Sequence, residues 1–278
     1  MVNSEGDGLP GLIIDWYNGV AVIQSQSPGM LKLNELFSDI LREIFGEKLI
    51  AVYDKETGEF LYGNSEPALI KESGHLFRVD FVRGQKTGFF LDQRRNRRLA
   101  GEYAQNRNVL NLFCYSGAFS VYALKGGATS VYSVDSSRQA IGWTKENIIL
   151  NGIEPSRHHS DVADVKQFLP GLKEKYDMII LDPPGFAKTH TVTHNALQAY
   201  IRINAEAMKH LNPGGILFTF SCSQPISSEM FRSAIMSAAL ESGIDLKVLH
   251  RLSQGPDHPV NLYHPEGEYL KGLVVIKI

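Results

Sequence analysis

A chain of 278 residues, 43% hydrophobic and 21% charged, suits a sizeable α/β domain with a smaller attachment, and its composition excludes wholesale disorder. The net charge of −2 excludes a uniformly basic nucleic-acid glove, although a local basic patch can still meet phosphates. No apolar run reaches membrane-span length and the opening MVNSEGDGLPGL is too polar for a secretory signal, so the expected location is cytoplasmic and no membrane partner is expected.

In chain order, residues 12–15 and 20–24 read as two strands joined by a Tyr17-Asn18-Gly19 turn, a hairpin signal. Leu33, Leu36, Phe37, Ile40, Leu41 and Ile44 recur at helical intervals, predicting a helix over 31–45, and strand-like pieces follow at 49–53 and 76–82. Together these predict a small α+β domain over residues 1–85. From Arg107 onward strand and helix alternate. Strands are predicted at 109–114, 130–134, 177–181, 216–220, 245–250 and 270–278, and helices at 118–126, 137–150, 164–175, 196–211 and 228–242. Residues 212–215 read as a turn before the fifth strand. Such alternation predicts an α/β, Rossmann-like, seven-stranded and mostly parallel sheet over 86–278, with ligands bound beyond the strands' carboxyl ends. Function is therefore expected just after Cys114, Val134, Leu181 and Phe220.

The first of these ends reads Asn111-Leu-Phe113-Cys-Tyr115-Ser116-Gly117, where the glycine permits a tight turn beside a ligand. A dinucleotide site favours three glycines here because the pyrophosphate must approach the backbone. One glycine plus a polar serine suits a ligand without phosphates, such as S-adenosylmethionine; an ordinary strand-to-helix turn accounts for it too. Asp135 ends the second strand, where a carboxylate can accept both ribose hydroxyls of an adenosyl group, and Asp161 follows at the place for an adenine amino group. Helix N-capping explains either aspartate without a ligand.

The fourth strand ends in Asp182-Pro183-Pro184-Gly185-Phe186, and paired prolines force a rigid exit that presents Asp182 at the sheet edge. The fifth ends in Phe220-Ser-Cys222-Ser223, on the same edge. Neither cysteine sits at a scaffold-like spacing, so no disulfide role is expected. A serine-flanked strand-end cysteine is unlike an apolar core cysteine. Carbon 5 of cytosine is a poor nucleophile that needs a thiolate added at carbon 6 before it can be methylated, and Cys222 can supply that thiol. Cys114, inside the first strand, reads as structural. Residues 94–98 read Arg94-Arg95-Asn96-Arg97-Arg98, either a solvated helix face or a set of phosphate contacts. His258-Pro259 and residues 265–272 precede the last strand as a substrate cover or as a plain connection.

Taken together, GQKTGFFLDQR, NLFCYSGAFS, the Val134-Asp135 pair, LDPPGFAK, FSCS and DHP…PEGEYLKG run in order over about residues 75–278. In these motifs the chain resembles the bacterial 23S ribosomal RNA cytosine-carbon-5 methyltransferases, a class I family dependent on S-adenosylmethionine. The resemblance implies that Gln85, Thr87, Phe90, Asp92 and Arg94 help enclose the cofactor. It implies that Asn111, Phe113, Tyr115, Ser116, Gly117, Asp135 and Asp161 bind its methionine, ribose and adenine parts, with Asp182 beside them. It also implies Cys222 as nucleophile and Asp182 as the group gripping the base; Arg95, Arg97, Arg98, Pro183 and Phe186 are the candidate substrate contacts, and no metal is expected. The expected partner is RNA, 23S rRNA or a ribosomal assembly intermediate, with a homodimer among the assemblies the sequence allows. Family members carry a further N-terminal domain of the PUA type, and this chain starts where that domain would end. Two other readings stay open, a purine-nitrogen methyltransferase, which needs no thiol, and a non-catalytic RNA-binding assembly factor.

Overall fold

The computed structural model describes residues 1–187 and 189–278, with His190 described by its backbone alone. The chain divides into two compact units, one of residues 1–94 and 255–267, the other of residues 95–254 and 268–278.

In the first unit, β1 (Val2–Asn3), β2 (Leu12–Tyr17), β3 (Val20–Ser25), β4 (Ala51–Asp54) and β5 (Glu59–Gly63) form a sheet in that order. Every neighbouring pair is antiparallel except β3 with β4, which the helical crossover between them makes parallel. That crossover holds α1 (Pro28–Leu31), capped by the Ser27 side chain, and α2 (Asn34–Phe45). Leu41 of α2 is buried among Leu12, Ile14, Ala21, Ile23, Leu49 and Val52, and Phe45 stacks on Trp16 at 4.4 Å. Leu36, Ile40 and Ile44 of the same helix are exposed, so the helical spacing marks two apolar faces of which the sheet covers one. A second hairpin joins β6 (Ala68–Glu72) to β7 (His75–Val79). Lys55 then anchors the chain beyond it, donating to the carbonyls of Phe81, Val82 and Gly84 at 2.6, 3.0 and 2.8 Å.

In the second unit, α3 (Arg94–Tyr103, all but its first residue) leads into β8 (Asn108–Leu112), α4 (Ala118–Lys125), β9 (Ser130–Asp135), α5 (Arg138–Leu150), β10 (His158–Val162) and α6 (Val165–Gly171). There follow β11 (Tyr176–Leu181), α7 (Thr193–Lys209), β12 (Leu211–Ser221), α8 (Ser228–Ser242), β13 (Leu246–Leu252) and β14 (Lys271–Lys277). The sheet runs β10-β9-β8-β11-β12-β14-β13, with β14 antiparallel to both neighbours and the other pairs parallel, the seven-stranded Rossmann-like arrangement expected. Its order reverses between β8 and β11, and crevices for ligands open at such a switch point. Leu110, Leu112, Ile179, Leu181, Leu217 and Val275 are fully buried in the sheet's core, as strands covered on both faces require.

Several boundaries differ from the expectation. Residues 212–215 fall inside β12 but loop out of its pairing, since Tyr176 pairs with Leu211 and Met178 with Ile216. The helix expected over 164–175 stops at Gly171, one residue after Pro170. The boundary expected after residue 85 lies at Arg94, because Lys86 pairs with Asp92 at 2.7 Å, and Arg94 with Asp257 at 2.6 Å, inside the first unit. Residues 255–267, in the β13–β14 connection, belong to that unit too; there Asn3 donates to the Pro259 carbonyl and Asn261 to that of Glu5.

Candidate active site

The loop after β8 owes its shape to left-handed backbone at Phe113 (φ 59°), Tyr115 (φ 48°) and Gly117 (φ 73°). A Cβ on Gly117 would lie 2.5 Å from Thr144 Cγ2, so only glycine fits. Two buried polar residues of α5 hold the loop: Thr144 Oγ1 donates to the Tyr115 carbonyl at 2.8 Å and Asn147 Nδ2 to that of Ser116 at 2.9 Å. Under the loop, Asn111 Nδ2 donates to Ser120 Oγ, which meets Ser133 Oγ at 2.7 Å, and Ser133 meets His158 Nε2 at 2.9 Å. Asn111 is thus buried and bonded to α4, while Tyr115 lies edge-on to Trp143 at 5.7 Å.

Asp135, at the end of β9, is half-buried. Its two oxygens accept from the backbone N–H of Tyr115 and of Ser137, each at 2.9 Å. An ionised carboxylate has about four acceptor positions, so both oxygens keep capacity for further donors such as a ribose diol. Asp161 lies within β10 opposite Val134, exposed, and accepts from the Tyr132 hydroxyl at 2.5 Å. The N-cap of α6 is Asp164, so helix capping does not explain Asp161.

Asp182 follows β11 at the switch point, where its N–H reaches toward the Leu112 carbonyl at 3.5 Å. The structure brings the Asp182–Ala187 segment and the end of β12 together. Cys222 Sγ is 4.0 Å from the Pro183 carbonyl oxygen, and a Cβ built on Gly185 would sit 3.5 Å from that sulfur. Ser223 ties the two loops: its Oγ accepts from the Ala187 N–H at 3.1 Å and meets the Tyr200 hydroxyl at 3.0 Å, while Ser221 Oγ donates to Tyr200 at 2.9 Å. Phe186 packs on Tyr200 with ring centres 4.7 Å apart, under Lys166. Cys222 is half-buried, whereas Cys114 is buried and its thiol is pushed up by burial and then by the Asp135 charge.

Four further residues shape this edge without having been singled out in the sequence: Thr144, Asn147, Tyr200 and Lys271. Lys271 is 3% exposed and donates to the Ser223 carbonyl at 2.8 Å. On α3, Arg95 and Arg98 are exposed, Arg98 pairing with Glu102 at 3.2 Å, but Arg97 is 1% exposed. That corrects the expectation for Arg97, since a buried guanidinium is a packing element and not a solvated phosphate contact. In the first unit, Thr87 is buried between Tyr17 and Asp15, Lys86 lies over the Phe90 ring at 4.7 Å, Asp92 is buried, and Gln85 and Arg94 are exposed. The assignment of these first-unit residues to the cofactor rests on the family resemblance.

A family model described as S-adenosylmethionine-dependent methyltransferase matches residues 51–267. The chain is 41% identical over 290 residues to ribosomal RNA large subunit methyltransferase I of Aeromonas hydrophila, covering 98% of this chain and 72% of the relative. The protein of the same name from Tolumonas auensis is 43% identical, with 99% and 73% covered. Among solved structures, one described as a SAM-dependent methyltransferase from Streptococcus mutans superposes with TM-score 0.89 at 25% identity, over 99% of this chain and 73% of that one. Another, a methyltransferase complexed with SAH, gives 0.90 at 25% identity over 100% and 74%. The chain belongs to the S-adenosylmethionine-dependent methyltransferase family, with S-adenosylmethionine as its cofactor.

Proposed function

We propose that this enzyme methylates carbon 5 of a cytosine in RNA of the large ribosomal subunit, with Cys222 as nucleophile. The observation that carries the reading is the placing of the half-buried Cys222 thiol against the Asp182–Ala187 loop at the carboxyl edge of the sheet. The relatives named for large-subunit ribosomal RNA support the substrate class. No described helix is long and apolar enough to cross a membrane.

In this reading Asp135 and the 113–117 loop hold the cofactor, which supplies an electrophilic methyl group on a sulfonium. The target cytosine is unpaired or flipped out, because a base in a duplex stack cannot enter a cleft. The Cys222 thiolate adds to carbon 6 and pushes electron density onto carbon 5, which then takes the methyl group. Asp182 accepts from the amino edge and steadies a protonated ring nitrogen as charge builds. Loss of the carbon-5 proton and expulsion of the thiolate restore the aromatic ring and free Cys222. Arg95 and Arg98 meet RNA phosphates.

The test is methyl transfer from labelled S-adenosylmethionine to large-subunit RNA, followed by nucleoside chromatography. Label in 5-methylcytidine, lost in Cys222→Ala and kept in Cys114→Ala, is the expected result. Label in a methylated purine that survives Cys222→Ala would assign nitrogen methylation instead.

A further inference from the structure

Lys271 begins β14 directly opposite Ser221 in the β12–β14 register, one residue from the nucleophile's position in the chain. A lysine at a strand end ordinarily extends its ammonium into water. This one is buried, and its Nζ donates to the carbonyl of Ser223, the residue after Cys222. An ammonium has three N–H donors and one positive charge, and a single neutral carbonyl does not balance the charge. The amine is drawn down to about 8, the lowering by burial outweighing the upward pull of Cys222 and then Glu268. Ser221, opposite Lys271 in the register, and Ser223, whose carbonyl it bonds, flank Cys222 in the chain, so the ammonium is held beside the nucleophile's segment, while Glu268 is exposed to solvent.

We propose that Lys271 is the cation that holds Cys222 as a thiolate, acting as a positioning residue through the Cys222–Ser223 segment. This rests on the reading of Cys222 as the nucleophile. When the Sγ–H bond breaks, its electron pair stays on sulfur and the proton leaves to water; Lys271 remains an ammonium throughout. Glu229 and Arg232 of α8, Arg251 of β13 and Glu268 before β14, all exposed, line one cavity with Lys271, and Tyr200 of α7 bonds Ser221 and Ser223 on either side of Cys222. The exposed carboxylates oppose a thiolate and the exposed arginines favour one, both through solvent that screens them. Tyr200, whose phenol is pushed up by burial, stays neutral. Because the Lys271 amine lies near 8, its charge is present at neutral pH and fades above that value. The structure thereby supplies what the thiol chemistry needs, since a free thiol near ~8.5 is only a few per cent ionised at neutral pH.

The competing account makes Lys271 a neutral clamp on the Ser223 carbonyl. Iodoacetamide alkylation of the whole chain across the neutral and mildly alkaline range, with Cys222 followed by peptide mass spectrometry, separates the two. In Lys271→Gln, which keeps an N–H donor but loses the charge, the alkylation midpoint should move up by about one unit, so that the rate near neutral pH drops about tenfold. Lys271→Arg, which keeps the charge, should restore most of that rate. A Lys271→Gln profile that overlays the unsubstituted protein's, with S-adenosylhomocysteine binding showing the variant folded, overturns the proposal. Should the glutamine variant not fold, failure of folded Lys271→Arg to keep the low midpoint overturns it equally. Alkylation needs no RNA, so its failure leaves the Cys222 assignment to covalent trapping. A failed trap would in turn leave the Lys271–Cys222 pairing standing.

Discussion

The sheet holds one cysteine on each side of its switch point, under opposite conditions. Cys114, after β8, is 7% exposed, with its sulfur 3.7 Å from Thr144 Oγ1 and its thiol pushed up by burial. Cys222, after β12, is half-buried at the rim, beside Gly185 and just before Ser223, whose carbonyl Lys271 bonds. The β8–β9 side is shaped by groups that fix backbone: Thr144, Asn147 and Asp135 all bond to main-chain atoms of the 113–117 loop. The β11–β12 side is tied by the hydroxyls of Tyr200, Ser221 and Ser223. A cradle for a cofactor needs a rigid backbone, and a nucleophile needs a thiol left at the surface of a rigid frame. In the proposed function the two halves divide those tasks.

If the division holds, damage on one side should spare the other. The largest effect is expected from Asp135→Ala, which removes a proposed ribose acceptor together with the anchor of the Tyr115 and Ser137 N–H groups. S-adenosylmethionine binding should weaken by roughly 2–3 kcal/mol, about 30- to 150-fold by calorimetry, while Cys222 alkylation is unchanged. An unchanged dissociation constant would remove Asp135 from the cofactor site.

Next in size is a pH effect at His158, which begins β10 and meets Ser133 of β9. Burial lowers the His158 imidazole from 6.5 to about 4, so its proton is bound in the unfolded chain before it is bound in the folded one. Stability is therefore complete above pH 6.5 and is lost as pH falls from there toward 4, by about 2 kcal/mol near pH 5. His158→Gln should flatten this part of the acid-side loss in denaturant unfolding; an equally steep loss would place its origin elsewhere.

The smallest effect concerns α3. Replacing Arg95 and Arg98 together should reduce the slope of log RNA affinity against log salt by about 0.7–0.9 per lost phosphate contact. Arg97→Met should lower stability without changing the slope of the folded protein. A slope that responds to Arg97 and ignores the other two would reverse the assignment.

Much of this architecture was legible in the chain. Helix α8 matches its expected span from Ser228 to Ser242, because its apolar spacing is closed by Ser227 as N-cap and Gly243 in left-handed backbone. The Asp182-Pro-Pro-Gly exit and the strand-end Cys222 were legible because prolines and a serine-flanked thiol are local signals. Strand β5 was not: its five residues are all exposed or half-buried and show no alternation. The unit boundary depended on Lys86–Asp92 and Arg94–Asp257, pairs that no local pattern announces. The burial of Arg97 and of Lys271 escaped the sequence for one physical reason. Charged residues look solvated in a sequence, and only tertiary packing shows which are buried.

The central claim, covalent attack by Cys222, is tested most directly by trapping. RNA carrying 5-fluorocytidine at the target position should form a stable complex in the presence of S-adenosylmethionine, because fluorine at carbon 5 blocks the final elimination. Peptide mapping should place the adduct on Cys222, with Cys114→Ala still trapping and Cys222→Ala not. An adduct on Cys114, or none with an RNA whose unmodified form is methylated, would contradict the account.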